Sequence, residues 1–286
     1  MLKYVILYLE KLNQISDLHD FLLEMAENHV IVYELNEDVT EVPPLDESIL
    51  ITDRKEGAWC ARELKVGYLL YETEANRLCS FADAVCIIQG FDGIDYEFMN
   101  HMYERSRGIP WKIFETERCL VREITVEDLK RLYEIYEDPS ITAYMEGLYP
   151  NPKDEEEFTR AYIERMYGFY GFGLWIVEEK REGLIIGRAG ISIRDGFEDL
   201  ELGYLIAKTH QGQGYAYEVC SAIIEYAHNK LGCEKMNAFI DVRNEPSIRL
   251  CEKLGFRHVG QSRIERKLLE RYQLIYKDFI NYKKTV

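Results

Sequence analysis

Apolar residues recur along this chain with two periods, and the switches between them lay out its elements. In the first third, short apolar runs alternate with stretches of helical spacing. Residues 4–8, 30–33, 48–53, 67–71 and 84–90 read as strands, and residues 18–26, 57–64 and 96–105 as helices. Alternation of this kind argues a parallel α/β layer fold of the Rossmann-like type. Glu41-Val42-Pro43-Pro44 reads as a loop, and Gly108-Ile109-Pro110 with residues 111–114 as the last strand of this region.

From residue 118 the pattern changes. A short strand over 118–124 is followed by Thr125, an N-cap with Glu127 and Asp128 in the first turn. The helix 129–137 carries Leu129, Leu132, Ile135 and Tyr136 on one face and stops at Asp138-Pro139. A Glu-rich helix start lies near Asp154. Residues 174–178 and 185–193 read as strands joined by a turn at Glu182-Gly183, and 200–206 as a third strand. A helix then runs to Leu231, with Val219, Cys220, Ile223, Ile224 and Ala227 spaced to face a sheet. A strand over 235–242 leads to a helix that begins at Asn244-Glu245-Pro246-Ser247 and closes at Gly255, a C′ residue.

Between the strand 200–206 and the helix stands Gln211-Gly212-Gln213-Gly214-Tyr215-Ala216. The first N–H groups of a helix have no internal partner, and the macrodipole is positive there. Glycines let such a loop turn tightly and approach a ligand. A phosphate or pyrophosphate is the expected guest, and a plain glycine turn before an amphipathic helix is the alternative. The ATPase phosphate loop needs Lys-Ser or Lys-Thr where Tyr215-Ala216 stands, and the dinucleotide fingerprint needs Gly or Ala where Tyr217 stands.

The pattern Gln-x-x-Gly-x-Ala, as Gln211, Gly214 and Ala216, resembles the acetyl-coenzyme A loop of the GNAT superfamily of N-acyltransferases. The phrase from Asn244 to Phe256 resembles the second signature of that superfamily, and the two stand in the family's order. Residues 118–286 are identified on these motifs as a GNAT α+β domain with a central mixed, mostly antiparallel sheet. Arg122-Glu123-Ile124 and the helix start near Asp154 look most like the branch that includes ribosomal-protein N-acetyltransferases.

The resemblance implies transfer of an acetyl group from acetyl-coenzyme A to a primary amine by direct attack in a ternary complex. It places Glu201 as candidate general base, on the strand where the family often carries a Glu, against the alternative that Glu198, Asp199 and Glu201 form a solvated acidic cluster near a turn. The family's general-acid Tyr position is occupied by Cys251, a weak donor whose thiol also packs as a small apolar group. The pantetheine arm would pair with the strand edge at Leu205 and Ile206. The pyrophosphate would meet Gln211, Gly212, Gln213, Gly214, Tyr215 and Ala216, with Asn244 and Ser247 contacting the arm or fixing the helix. Lys208, Arg243, Arg249 and Lys253 are candidates for the adenosine phosphate, against the alternative of ordinary surface cations. The acceptor would be set by residues 141–158, including Tyr144 and Glu146, with the aromatic stretch 167–175 either lining the same cleft or filling the core. A small-molecule amine and a protein N-terminus both remain as acceptors. The second reading is a non-catalytic acyl-coenzyme A sensor regulated through the first domain.

Residues 1–117 form the other expected domain. From Ile49 onward the run is similar to the later half of a haloacid dehalogenase-like phosphatase, with Asp53 at a strand end. No Asp-x-Asp marks a first strand, so no nucleophilic aspartate and no metal site is assigned, and Asp53 reads as a cap or turn residue. The domain is expected to be an accessory or ligand-sensing module.

Bulk numbers limit the partners. At 286 residues and 47% hydrophobic, the chain can bury two modest cores. A formal charge of −16 disfavours nucleic acid and leaves an anionic cofactor to be held by local dipoles and cations. Seven cysteines without close pairing suggest free thiols in a reducing cytoplasm. No apolar run reaches membrane-spanning length, and a homodimer is left open as an assembly.

Overall fold

The computed structural model describes residues 1–35, 42–264 and 267–283, so Glu41 of the expected loop lies outside the described residues. The chain divides into two compact units, Met1–Trp111 and Lys112–Val286.

The first unit alternates strand and helix: β1 (Tyr4–Tyr8), α1 (Leu18–Glu27), β2 (Ile31–Glu34), β3 (Ser48–Thr52), α2 (Lys55–Leu64), β4 (Tyr68–Tyr71), β5 (Cys86–Ile88) and α3 (Tyr96–Ser106). All strand pairs are parallel, in the order β2-β1-β3-β4-β5. The central strand β3, Ser-Ile-Leu-Ile-Thr, is buried at every position, as a parallel strand covered on both faces must be. Its side chains divide by alternation. Ile49 and Ile51 join Val5, Leu7 and Leu69 against Phe21 and Met25 of α1 and Met99 of α3; Leu50 joins Ile6, Tyr68 and Leu70 against Ala58 and Ala61 of α2. Asp53 acts as a turn residue: its carboxylate accepts the Glu10 backbone N–H at 3.1 and 3.2 Å, tying the end of β3 to the end of β1.

The second unit opens with β6 (Lys112–Glu115), which corrects the expected domain edge. This segment pairs antiparallel with β7 (Cys119–Arg122), so it belongs to the second sheet and is not the last strand of the first unit. The change of unit therefore falls at Trp111/Lys112 and not at 117/118. After β7 come α4 (Leu129–Tyr136), α5 (Pro152–Tyr162), β8 (Leu174–Glu179), β9 (Leu184–Ser192), β10 (Leu200–Ile206), α6 (Tyr215–Leu231), β11 (Lys235–Ile240), α7 (Glu245–Lys253), β12 (Arg257–Ile264), β13 (Lys267–Ile275) and α8 (Tyr276–Lys283). The sheet order is β12-β13-β11-β10-β9-β8-β7-β6, antiparallel throughout except for β10 with β11.

Thr125 and Asp128 form a capping box before α4, and Arg122 holds Asp128 with two 2.8 Å bonds. Helix α6 buries Val219, Cys220, Ile223, Ile224 and Ala227, the spaced positions read from the sequence. A fully buried aliphatic side chain stabilises by about 1.5–3 kcal/mol, so this face alone fixes α6 on the sheet. β11 ends at Ile240, short of residue 242, because Asp241 turns to accept the backbone N–H and guanidinium of Arg243. The aromatic stretch 167–175 divides: Tyr167 (1% exposed) and Trp175 (0%) enter the core, while Phe169 and Tyr170 are exposed.

The parallel pair governs everything built on it. β10 and β11 pair only at Leu200↔Met236 and Glu201↔Asn237. The buried Asn237 clasps that end: its amide donates to the Asp199 carbonyl at 3.3 Å and its oxygen accepts from Arg271 at 3.1 Å. Beyond Glu201 the two strands diverge, while β10 stays paired with β9 as far as Ile206↔Gly187.

Gly187 fits this ladder only because it lacks a side chain; a Cβ there would stand 2.1 Å from the Leu205 carbonyl oxygen. Gly187→Ala is expected to destabilise the second unit by about 1–3 kcal/mol. That corresponds to a loss of roughly 2–10 °C in melting temperature by calorimetry; an unchanged melting temperature would contradict the close approach of β9 and β10.

Candidate active site

The gap between β10 and β11 opens a cavity of about 1290 Å³, walled by both strands, the loop before α6, the first turns of α7 and residues from 136 to 158. A single drug-sized ligand occupies about 300–1,000 Å³, so there is room here for two substrates side by side.

Glu201 lies at the closed end of the gap and is 8% exposed. The acidic cluster it belongs to in the sequence divides in space. Glu198 is exposed and Asp199 accepts from Gln273 at 3.1 Å, while Glu201 turns inward to Arg194. Arg194 Nε and Nη2 approach its Oε2 at 2.7 and 2.6 Å. Burial raises the Glu201 carboxyl above the usual carboxylate range and Arg194 opposes the rise, with burial the larger effect.

The loop is built as an open backbone cradle. A short 3-10 turn, Lys208–His210, ends β10's exit, and Gln211 reaches back to donate to the Ile206 carbonyl at 2.8 Å. Gly212 and Gly214 have φ of 73° and 87°, which favour glycine, and Gly214 is the N-cap of α6. No atom lies within 4 Å of the Cβ position at Gly212. Gln213 does not reach the cavity wall; its amide donates to the Thr209 carbonyl at 2.9 Å. Arg118 clamps the loop from the start of β7. It donates to the Gln213 carbonyl at 3.0 Å, pairs with Glu218 at 2.7 Å and lies over the Tyr215 ring at 4.2 Å.

Leu205 and Ile206 on β10 and Tyr215 and Ala216 on α6 face the cavity, as do Asn244 and Ser247 on α7. Asn244 caps α7 by accepting the Ser247 N–H at 3.3 Å, and Ser247 Oγ accepts the Tyr204 hydroxyl at 3.0 Å. Cys251 lines the same space but is 4% exposed, and burial pushes its thiol well up, so it stays neutral. Tyr204, beside it, is also held in the neutral form by burial. Of the four candidate cations, Lys208, Arg249 and Lys253 line the cavity and Arg243 does not, being folded onto Asp241. Arg249 is paired with Glu245 at 3.0 Å, and Lys253 sits 4.5 Å over the Tyr217 ring. Tyr144 and Glu146 stand on the opposite wall with Phe158 and Tyr149.

Sequence reasoning did not find Arg118 or Arg194. Arg118 meets Glu218 across 100 positions, which no local pattern carries. Arg194 follows two residues after Ser192, the partner of Glu201 in the β9–β10 ladder, so its approach to Glu201 depends on the strand register.

These features define an acyl-group transfer fold with a strand-edge cleft, and the comparisons agree. The acetyltransferase (GNAT) domain family matches residues 118–257. The uncharacterized protein YkkB of Bacillus subtilis is 35% identical over 150 residues, covering 50% of this chain and 84% of that protein. The uncharacterized N-acetyltransferase YoaA, also of Bacillus subtilis, is 28% identical over 155 residues, covering 52% and 84%. The solved structure of ribosomal-protein-S5-alanine acetyltransferase from Vibrio fischeri shares the fold, with TM-score 0.50 and 20% identity over 58% of this chain and 97% of that one. The chain belongs to the GNAT family and is an acetyltransferase. Enzymes of this family use acetyl-coenzyme A as co-substrate and act on amine acceptors. Among the described residues, no helix is long and apolar enough to cross a membrane.

Proposed function

We propose that this protein transfers the acetyl group of acetyl-coenzyme A to a primary amine in a ternary complex, with Glu201 as base and Tyr204 as proton donor. The observation that carries the reading is the unpaired edge of β10 leading into the amide cradle at Gly212–Gly214, with a buried carboxylate at its far end. Acetyl-coenzyme A supplies the acyl group as a thioester. The residues fit it: at Leu205 and Ile206 the side of β10 away from β9 has no partner strand, its Ile206 carbonyl being taken by the Gln211 side chain, and the α6 N-terminus has open space at Gly212. Lys208 and Lys253 line the cavity with no ion pair among the described residues, and we assign them to the adenosine phosphate.

Glu201 takes the proton that the attacking amine must lose. Only the free-base amine is nucleophilic, and a carboxylate made more basic by burial accepts that proton better. Both Arg194 contacts fall on Oε2, which orients the carboxylate and leaves Oε1 without a hydrogen bond among the described residues. Tyr204 returns a proton to the leaving thiolate. Its phenol stays protonated, and Ser247 aims it from α7 next to Cys251, whose thiol is the weaker donor. Tyr144 and Glu146 shape the acceptor side of the cleft. The first unit is read as a non-catalytic accessory domain with a haloacid dehalogenase-like layer. The sensor alternative is not favoured, because the relatives include N-acetyltransferases.

Three variants test this reading by following thiol release. Gly214→Glu places a charge and a side chain in the cradle, and calorimetry is expected to lose acetyl-coenzyme A binding; undiminished affinity would remove the loop from the site. Glu201→Gln is expected to lower kcat by about 10²–10⁴-fold. In the parent enzyme the rate falls as pH drops through the raised carboxyl pKa, because the base becomes protonated; in Glu201→Gln that acid limb should vanish. Tyr204→Phe is expected to lower kcat about 100-fold with the KM for acetyl-coenzyme A little changed; an unaltered kcat would assign the proton to another group.

A further inference from the structure

The cavity holds one arginine whose charge the protein does not answer. Arg188 is on β9, opposite Ile176 of β8 and Leu205 of β10, in the middle of the sheet. Residues 188, 190 and 192 share one face of the strand, and Ser192 stands opposite Glu201. Arg188 and Glu201 therefore lie on the same sheet face, and both line the cavity.

The other cavity arginines are matched: Arg194 with Glu201 and Arg249 with Glu245. Arg188 packs by tyrosines: its charge acts on the Tyr136 and Tyr167 hydroxyls, and it lies 6.0 Å from the Tyr162 ring centre. Its Nε is buried without a hydrogen-bond partner. No carboxylate comes within ion-pair distance of it among the described residues. Glu155, the acid that shares this wall, is engaged by the Tyr149 backbone N–H at 2.8 Å. A partly buried guanidinium left without an anion is costly, and its planar fork matches a carboxylate with two parallel bonds.

We infer that Arg188 binds a carboxylate of the acceptor, so that the acceptor is an amine whose other end is a carboxylate. This rests on the acetyl-transfer reading for where the amine goes. The spacing limits the class further. Arg188 and Ser192 are four residues apart on β9, about 13 Å at the usual strand rise. An amine near Glu201 and a carboxylate near Arg188 need a spacer, which a free peptide of two to four residues provides at roughly 3.3–3.6 Å per residue. A polyamine, with a second cation where Arg188 stands, is disfavoured by the same charge.

The test compares triglycine with triglycinamide, which differ in the terminal carboxylate alone. Binding is measured by calorimetry in the presence of coenzyme A, so that no turnover occurs. The acid is expected to bind at least about tenfold tighter, the scale of a charge-assisted bidentate contact. Equal affinities in the parent protein would overturn the assignment without any mutation. In Arg188→Gln the preference should vanish while coenzyme A binds as before. A preference that survives would give the carboxylate to another group and leave Arg188 as a prop for Tyr136 and Tyr162. Turnover is read separately: thiol release from neither peptide, despite tighter binding of the acid, would strike at the transfer chemistry and leave the carboxylate subsite standing.

Discussion

Everything in the catalytic unit depends on two parallel strands that pair for only two residues. A parallel ladder that continued along β10 and β11 would close the sheet and leave no cavity. Instead Asn237, with Asp199 and Arg271, holds the strands together at Glu201 and nothing joins them beyond. The clasp is polar and buried, so its geometry is set by direction as well as by contact: a displaced Asn237 would leave buried donors and acceptors unmet. The sheet is thus given a defined point of opening, and the acid lies at that point.

From there the site follows as a sequence of consequences. The free edge of β10 runs into a loop whose positive-φ glycines turn the backbone toward the first amides of α6. Helix α6 cannot drift, because its apolar face is buried and Arg118 ties the loop to β7. The same opening gives α7 its role. Asn244 caps it, and Ser247 meets Tyr204 across the gap. The charges are arranged by desolvation. Glu201, at the point where the strands part, is kept buried and more basic, with Arg194 to orient it. Arg188, farther along β9, has no carboxylate at ion-pair distance among the described residues, and its Nε is unpaired. On the proposed reading, an acidic protein holds an anionic co-substrate through local amides and cations that act at short range, where the overall field of a −16 chain counts for less.

Much of this was legible beforehand. The strand–glycine loop–helix order and the Asn244–Gly255 helix were local patterns, and the folded chain keeps both. The run 111–114 reads as the end of the first unit but joins the second sheet as Lys112–Glu115, because a short apolar run does not say which sheet it will join. The aromatic stretch 167–175 could have been cleft or core; packing took Tyr167 and Trp175 inside. The acidic cluster 198–201 could have been a solvated face. Glu201 is held inside on β10, while Glu198 lies in the turn before the strand, in water.

The sequence by itself determined the elements, the two signatures and the phosphate-type loop, because periodicity, glycine φ and helix capping act within a few residues. Only the tertiary structure decided where the sheet opens, that Arg194 and not solvent faces Glu201, that Arg118 reaches Glu218 across 100 positions, and that Arg188 has no carboxylate partner among the described residues. Those are relations between distant positions, fixed by strand register and burial, and no local pattern encodes them.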